Sequence, residues 1–192
     1  MTASRQHPPR AGHDGMNDRS NDERDLVTRT MRGDEPAFTA LYAAHAPAAY
    51  AAAYRLLGNA FDAEDVIQEL FLALPASLAA YDPSRGALGP WLRRVAVRLA
   101  LMRMRRVRRR REVDASSVAQ LLAREDAPLE RLSIETAMAR LSDEQRTVFL
   151  LKEVEGYEHR EIASLLEISV ANSEVRLFRA RQALRALLGG SR

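Results

Sequence analysis

Residues 160–184 read REIASLLEISVANSEVRLFRARQAL, two helical repeats joined by a short polar break. Ile162, Ala163, Leu166 and Ile168 fall where a helix-turn-helix buries its packing residues. Ala163 is small enough for close helix approach, and Ser169 is placed to cap the second helix. Ser173, Leu177, Ala180, Leu184 and Leu188 then recur every three or four residues, which predicts the buried face of that helix. Asn172, Arg176 and Arg179 fall on another face, and Arg181 follows them. Arg and Asn pair well with guanine and adenine edges in the major groove, so the pattern points to duplex reading. The competing explanation is an amphipathic helix with a solvated arginine face. Glu174 is out of place beside phosphates. It is expected either to tune which sequence is read, by accepting a hydrogen bond from cytosine, or to be a solvated neighbour.

Upstream of this motif the sequence is helical wherever it is apolar. LSDEQ, residues 141–145, supplies a capping box with Ser142 and Gln145, and Gly156 ends that helix. Asp34 caps another helix with Pro36 in its first turn, a break or kink is expected at Pro47, and Gly58 terminates it. Asp62 is expected to open the next helix, with Val66, Ile67, Leu70, Phe71, Leu74 and Leu78 as its apolar stripe. YDPSRGALGP, residues 81–90, is a loop. A long helix starts near Pro90 and is expected to bury Trp91, Leu92, Val95, Leu99 and Met102. Strand-like alternation of useful length is absent from the sequence. The expected fold is all-α, with two small helical domains joined by a flexible linker. The boundaries are a disordered tail over 1–23, a first domain over 24–111, a linker over 112–127 and a second domain over 128–192. A linker of this size spans at most ~60 Å, or roughly 17 base pairs of duplex.

Composition narrows the function. The chain has 192 residues, no cysteine and a net charge of +3. Disulfides and thiolate metal sites are therefore excluded, and a cytoplasmic location fits. The apolar runs are short and alanine-rich, so membrane insertion is not expected. Charge placement says more than its sum. RMRRVRRRR, residues 103–111, holds seven arginines in nine positions. A helix end accounts for a few cations, but seven repel one another unless a polyanion is near. Arg93, Arg94 and Arg98 extend this surface toward the loop, where Tyr81 and Trp91 flank a site able to stack an unpaired base. Both rings also suit a core. DAEDVIQE, residues 62–69, gathers Asp62, Glu64, Asp65, Gln68 and Glu69. With no histidine or phosphate-cradling loop beside them, a solvated face or a dock for a basic partner fits better than catalysis or metal binding. His7, His13 and His159 give no metal or catalytic set either. No cofactor is expected, and an enzyme using Glu64, Asp65 or His159 would lack an assembled site.

Four segments, taken in order, resemble the extracytoplasmic-function group of bacterial sigma-70-type RNA polymerase sigma factors. They are GDEPAFTALYAAHAPAAYAAAYRLLGN, DAEDVIQELFLAL, YDPSRGALGPWLRRVAVRLA and the stretch from LSDEQ to RARQAL. The resemblance runs from Asp25 to Leu188. It implies a non-catalytic subunit whose partners are core RNA polymerase and promoter DNA; an anti-sigma partner is common in the group. The surface matching Asp62, Glu64, Asp65, Gln68 and Glu69 would meet the polymerase clamp helices. The loop matching Asp82, Ser84, Arg85 and Gly86 would capture a base of the melted −10 element. Trp91, Arg94, Arg98, Arg105 and Arg106 would lie along that strand and its phosphates. Ser169, Asn172, Glu174, Arg176, Arg179 and Arg181 would face the −35 duplex, while the linker crosses the polymerase cleft. A regulator using only the helix-turn-helix is the alternative. The chain departs from the family pattern at Arg98, Met102, Glu158, Glu167 and Glu174. Glu167 stands where the turn has glycine, so a positive φ is expected there on a residue that resists it.

Overall fold

The structure is a computed structural model that describes residues 14–114 and 134–189. The first part of the tail and most of the linker, including VAQLLA, lie outside the described residues. Every regular element among the described residues is helical.

Helix α1 spans Asp14–Met31 and so begins inside the stretch assigned to the tail. Tertiary contacts explain why polar composition hid it. Val27 and Thr30 are buried and Leu26 packs on the core. Glu23 accepts the Leu88 N–H at 3.3 Å and lies 3.2 Å from the His45 Nε2. Asp34 then caps α2, Glu35–Leu57, accepting the Ala37 N–H at 3.0 Å and the Arg29 Nε–H at 2.9 Å. The helix runs through Pro47 without a break. Pro47 is exposed, while Ala46, Ala49, Ala52 and Ala53 on the opposite side are buried. That packing holds the helix together where the missing N–H would weaken it. Gly58, at φ 66°, closes α2 by donating its N–H to the Tyr54 carbonyl at 2.8 Å.

Helix α3, Ala60–Leu72, starts two residues before the expected Asp62, because Asn59 rather than Asp62 supplies the cap. Its expected stripe is buried throughout, continuing through the short α4, Leu74–Ser77, to Leu78. Two 3₁₀ turns, Leu78–Ala80 and Pro83–Arg85, lead to α5, Leu88–Asp114. Its buried face is rotated from the expected one. Leu92, Ala96, Val97, Ala100 and Leu101 are buried, Trp91, Val95 and Leu99 are half-buried, and Met102 is 43% exposed. Alanines on both α2 and α5 allow close approach, and this selects the small-residue face.

The second group comprises α6, Ile134–Ala139, and α7, Asp143–Phe149, the latter opened by the reciprocal Ser142–Gln145 box. Helix α7 widens into a π turn, Leu150–Val154, and ends at Gly156. Helices α8, His159–Leu166, and α9, Val170–Gly189, complete it. Glu167 between them sits at φ 56° and is the one non-glycine residue at positive φ among those described. Such a conformation costs roughly 1–2 kcal/mol in an L-residue. Ser173, Leu177, Ala180 and Leu184 are buried as expected, but Leu188 is 39% exposed. The two groups share one apolar cluster, in which Leu151, Tyr157, Ile162 and Leu177 join the core of the first.

The Asp34 carboxyl is held below the usual carboxylate range by the Arg29 hydrogen bond and then by the Ala37 N–H. Its contribution to stability is present above the ordinary carboxylate pKa and is lost as pH falls through the depressed value. Asp34→Ala is expected to lower Tm by a few degrees at neutral pH. The gap to the parent chain should close as pH is taken down through the carboxylate range, which thermal melts followed by circular dichroism will check.

Candidate polymerase and nucleic-acid surfaces

The outward side of α3 carries Glu64, Asp65, Gln68 and Glu69, all exposed. Phe61 and Leu72, 79% and 84% exposed, stand at its two ends. Positions 61, 64, 65, 68 and 72 follow helical spacing, so apolar and acidic groups share one stripe. The two apolar ends were missed in the sequence, although their spacing from Glu64 and Gln68 was there to be read. Asp62 is half-buried and turned inward. Arg103 of α5 meets both Asp62 and Asp65 at 2.7 Å. That pins α3 on α5 and removes Arg103 from the set that could meet a polyanion.

The loop after α4 is held by its own hydrogen bonds. Asp82 accepts the Ser84 Oγ–H at 2.7 Å and the Ser84 N–H at 2.9 Å, and these hold its carboxyl below the usual range. Tyr81 donates its hydroxyl to the Gly86 carbonyl at 3.0 Å, and its ring lies 5.6 Å from that of Trp91. Gly86, at φ 145°, sits in a region that side chains resist. Trp91 also packs on the core, so its core and loop roles coincide. Arg85 projects with 87% of its side chain exposed.

Along α5 the arginines divide. Arg98, Arg106, Arg109 and Arg110 are exposed. Arg94 lies 5.3 Å above the Tyr157 ring and 3.1 Å from Glu161. Arg105 pairs with Glu167 at 2.9 Å and donates to the Leu165 carbonyl. Arg108 lies 3.8 Å from Glu144. The Tyr157 phenol is pushed up to about 12, chiefly by burial.

The helix-turn-helix is fixed from inside. His159 Nδ1 meets the buried Ser173 Oγ at 2.9 Å, linking the starts of α8 and α9. Ser169 caps α9 by accepting the Asn172 N–H at 3.1 Å. Glu158 takes the cap position of α8, where its N–H donates to the Glu161 carboxylate at 2.8 Å and its own carboxylate accepts from the Lys152 ammonium at 2.9 Å. At ~100° per residue, Asn172, Val175 and Arg179 share one exposed face. Val175, 45% exposed, was not singled out in the sequence. Arg176 stands at the edge of that face, 20% exposed and 3.0 Å from Glu144. Arg181 does not share the face, because it points to Glu153 of the π turn at 2.5 Å. Glu174 is exposed on the same flank as Arg181, away from Asn172 and Arg176.

Among the described residues no helix is long and apolar enough to cross a membrane, and no group of His, Asp and Glu could hold a metal ion.

Comparison with known proteins agrees with this layout. The family described as sigma-70 region 2 matches residues 41–111, and that described as sigma-70, region 4 matches residues 131–184. The ECF RNA polymerase sigma factor SigW of Bacillus subtilis is 30% identical over 177 residues, covering 84% of this chain and 94% of SigW. The RNA polymerase sigma factor CarQ of Myxococcus xanthus is 32% identical, with 85% of this chain and 95% of CarQ covered. Among solved structures, CnrH in complex with the cytosolic domain of CnrY superposes with a TM-score of 0.51 at 28% identity, covering 89% of this chain and 99% of CnrH. Two sigma-70 regions in order, over two all-helical groups, and relatives matched along nearly their whole length place this chain in the extracytoplasmic-function family of RNA polymerase sigma factors.

Proposed function

We propose that the two groups divide the work of initiation. The first, over 24–111, docks on core RNA polymerase through the outward stripe of α3. Glu64, Gln68 and Glu69 would meet a basic helical partner while Phe61 and Leu72 are covered. Asp62 and Asp65 act mainly by keeping Arg103 and α3 in place. The stripe carries the reading, since a stand-alone helix-turn-helix regulator has no use for an acidic helix face with exposed apolar ends. The Asp82–Gly86 loop, with Tyr81 and Trp91 behind it, would take an extruded base of the −10 element. Arg98 and Arg106 would follow its phosphates, joined by Arg94 and Arg105 when their glutamate partners let go.

The second group, over 128–192, would read the −35 duplex with Asn172, Val175 and Arg179 at the centre. Arg176 would join them at the edge, Ser169 would fix the start of the helix, and Arg181 would lie to one side. The chain supplies binding energy and strand capture rather than chemistry of its own, and it would work in the cytoplasm with the polymerase. A groove of about 1420 Å³, lined in part by Tyr54, Leu57, Met138, Phe149, Leu184 and Leu188, offers a largely apolar bed for an anti-sigma partner; CnrH is itself found in complex with the cytosolic domain of CnrY.

Run-off transcription with reconstituted holoenzyme tests the whole reading. It should yield defined transcripts from a subset of genomic promoters, with footprints over two separated elements. Duplex binding without polymerase association would favour the regulator instead. Phe61→Ala with Leu72→Ala is expected to weaken core-polymerase binding about tenfold or more while leaving Tm unchanged, since both side chains are already in water. Glu174→Lys is expected to raise duplex affinity generally and leave promoter choice intact, because Glu174 lies off the central face. Altered choice in a promoter-library selection would return Glu174 to the reading set.

A further inference from the structure

Helix α1 carries a carboxylate that reaches the start of α5, where the Asp82–Gly86 loop joins it. Glu23 Oε2 accepts the Leu88 N–H at 3.3 Å, across 65 residues of chain. Leu88 opens α5 and is fully buried, so its N–H is one of the orphan donors of a helix start and cannot turn to water. A carboxylate there also suits the positive end of the helix dipole. The other oxygen of Glu23 lies 3.2 Å from His45 Nε2 of α2. The His45 side chain is 15% exposed, and its ring lies against the first turn of α5. A Cβ on Gly89 would stand 3.3 Å from the ring Nδ1, so glycine gives the ring its room. At the other end of the loop, the Tyr81 phenol is raised above its usual pKa, first by burial and then by the Glu23 carboxylate. Helix α1 also packs on α4 and on the 3₁₀ turn Leu78–Ala80. One carboxylate therefore lies near both ends of the loop.

We propose that Glu23, steadied by His45, is a positioning residue for base capture. It fixes the start of α5 and so sets where the Asp82–Gly86 loop and Trp91 stand for the extruded base. The inference rests on the assignment of that loop to the melted strand. Neither side chain is placed on the strand itself, and both act through the backbone at the end of the loop.

The loop's own bonds leave this task open. Ser84 donates to Asp82 and Tyr81 donates to Gly86, so those bonds lie within residues 81–86. The join to α5 comes after them, at Ala87 and Leu88. The first backbone bond of α5, from the Trp91 N–H to the Ala87 carbonyl, is long at 3.5 Å. The contact from Glu23 holds the helix start where that bond holds it weakly. An acid beside a strand-binding loop would repel phosphate, and anchoring the loop gives it a use.

Two readouts separate this role from general stability. In the free chain, hydrogen exchange reports on the Leu88 N–H directly. In holoenzyme, a promoter from the run-off mapping, carrying 2-aminopurine at each −10 position in turn, reports on the extruded base. The −35 footprint of the same complex is the control. Glu23→Ala should speed Leu88 exchange and weaken base capture roughly 2- to 10-fold each, the worth of one net hydrogen bond, while the −35 footprint stays as in the parent. Glu23→Gln keeps an oxygen for the Leu88 N–H and should restore both to within about twofold. His45→Ala should weaken capture in the same direction, and adding it to Glu23→Ala should bring no further loss, because both act through one contact. Base capture unaltered in Glu23→Ala would overturn the inference. So would a Glu23→Gln chain no better than Glu23→Ala, additive losses in the double variant, or an equal loss of the −35 footprint. A parent holoenzyme with no 2-aminopurine response would defeat the assignment of the loop and this inference with it. A normal parent response with an indifferent Glu23→Ala chain defeats the inference alone.

Discussion

The close approach of α2 and α5 is the constraint on which the rest of the molecule depends. Ala49, Ala52 and Ala53 on one helix and Ala96 and Ala100 on the other are fully buried. Small side chains on both partners bring the backbones together and leave little room for error in rotation. That rotation decides which residues of α5 point outward. With Leu92, Ala96, Val97 and Leu101 inside, Arg94, Arg98 and Arg106 are exposed, Arg105 is left at the edge and Arg103 swings beneath α3. One packing choice therefore sets the acidic stripe of α3, by bracing Asp62 and Asp65, and the basic face together.

The second group depends on a smaller device. The His159–Ser173 contact and the left-handed Glu167 fix how α8 meets α9, and the Ser169 cap fixes where α9 begins. The outward face of Asn172, Val175 and Arg179 follows from that start. Shifting the first turn of α9 by one residue would rotate Asn172 and Arg179 together by ~100°, off the face they now share. The buried polar pair is a better guide to the orientation of the motif than the arginines, which the chain's own acids can pull aside.

The periodic features were legible in the sequence. The caps at Asp34 and Ser142, the stop at Gly58 and the stripe from Val66 to Leu78 all follow from local rules, whereas the positive φ at Glu167 was expected only from the family resemblance. What escaped was tertiary. Helix α1 has too polar a first half to be seen without the contacts that Glu23 makes with His45 and Leu88. The face of α5 was misplaced because larger apolar residues compete with alanine in any periodicity count, and only the partner helix shows that alanine wins. Arg176 and Arg181 looked equivalent to Arg179 until Glu144 and Glu153 came into position. Phe61 and Leu72 were visible all along but belonged to no core pattern, and a residue outside the core pattern is where an interface should be sought.

The departures Glu158, Glu167 and Glu174, together with Glu161 beside them, raise one question, since a domain that would meet phosphates gains nothing from acids near that helix. Their partners answer it for three. Glu158 holds Lys152, Glu161 holds Arg94 and Glu167 holds Arg105. Two of those three cations lie on the basic helix of the other group. The chain thus carries 29 basic residues, yet a net charge of only +3, with acids of the second group set opposite Arg94 and Arg105 while Arg98, Arg106, Arg109 and Arg110 stand exposed. A long-range positive field would draw the free chain to any DNA at all. Opposing carboxylates shorten that field without removing a single arginine. Near-neutral charge and a strongly basic helix are then two consequences of one arrangement.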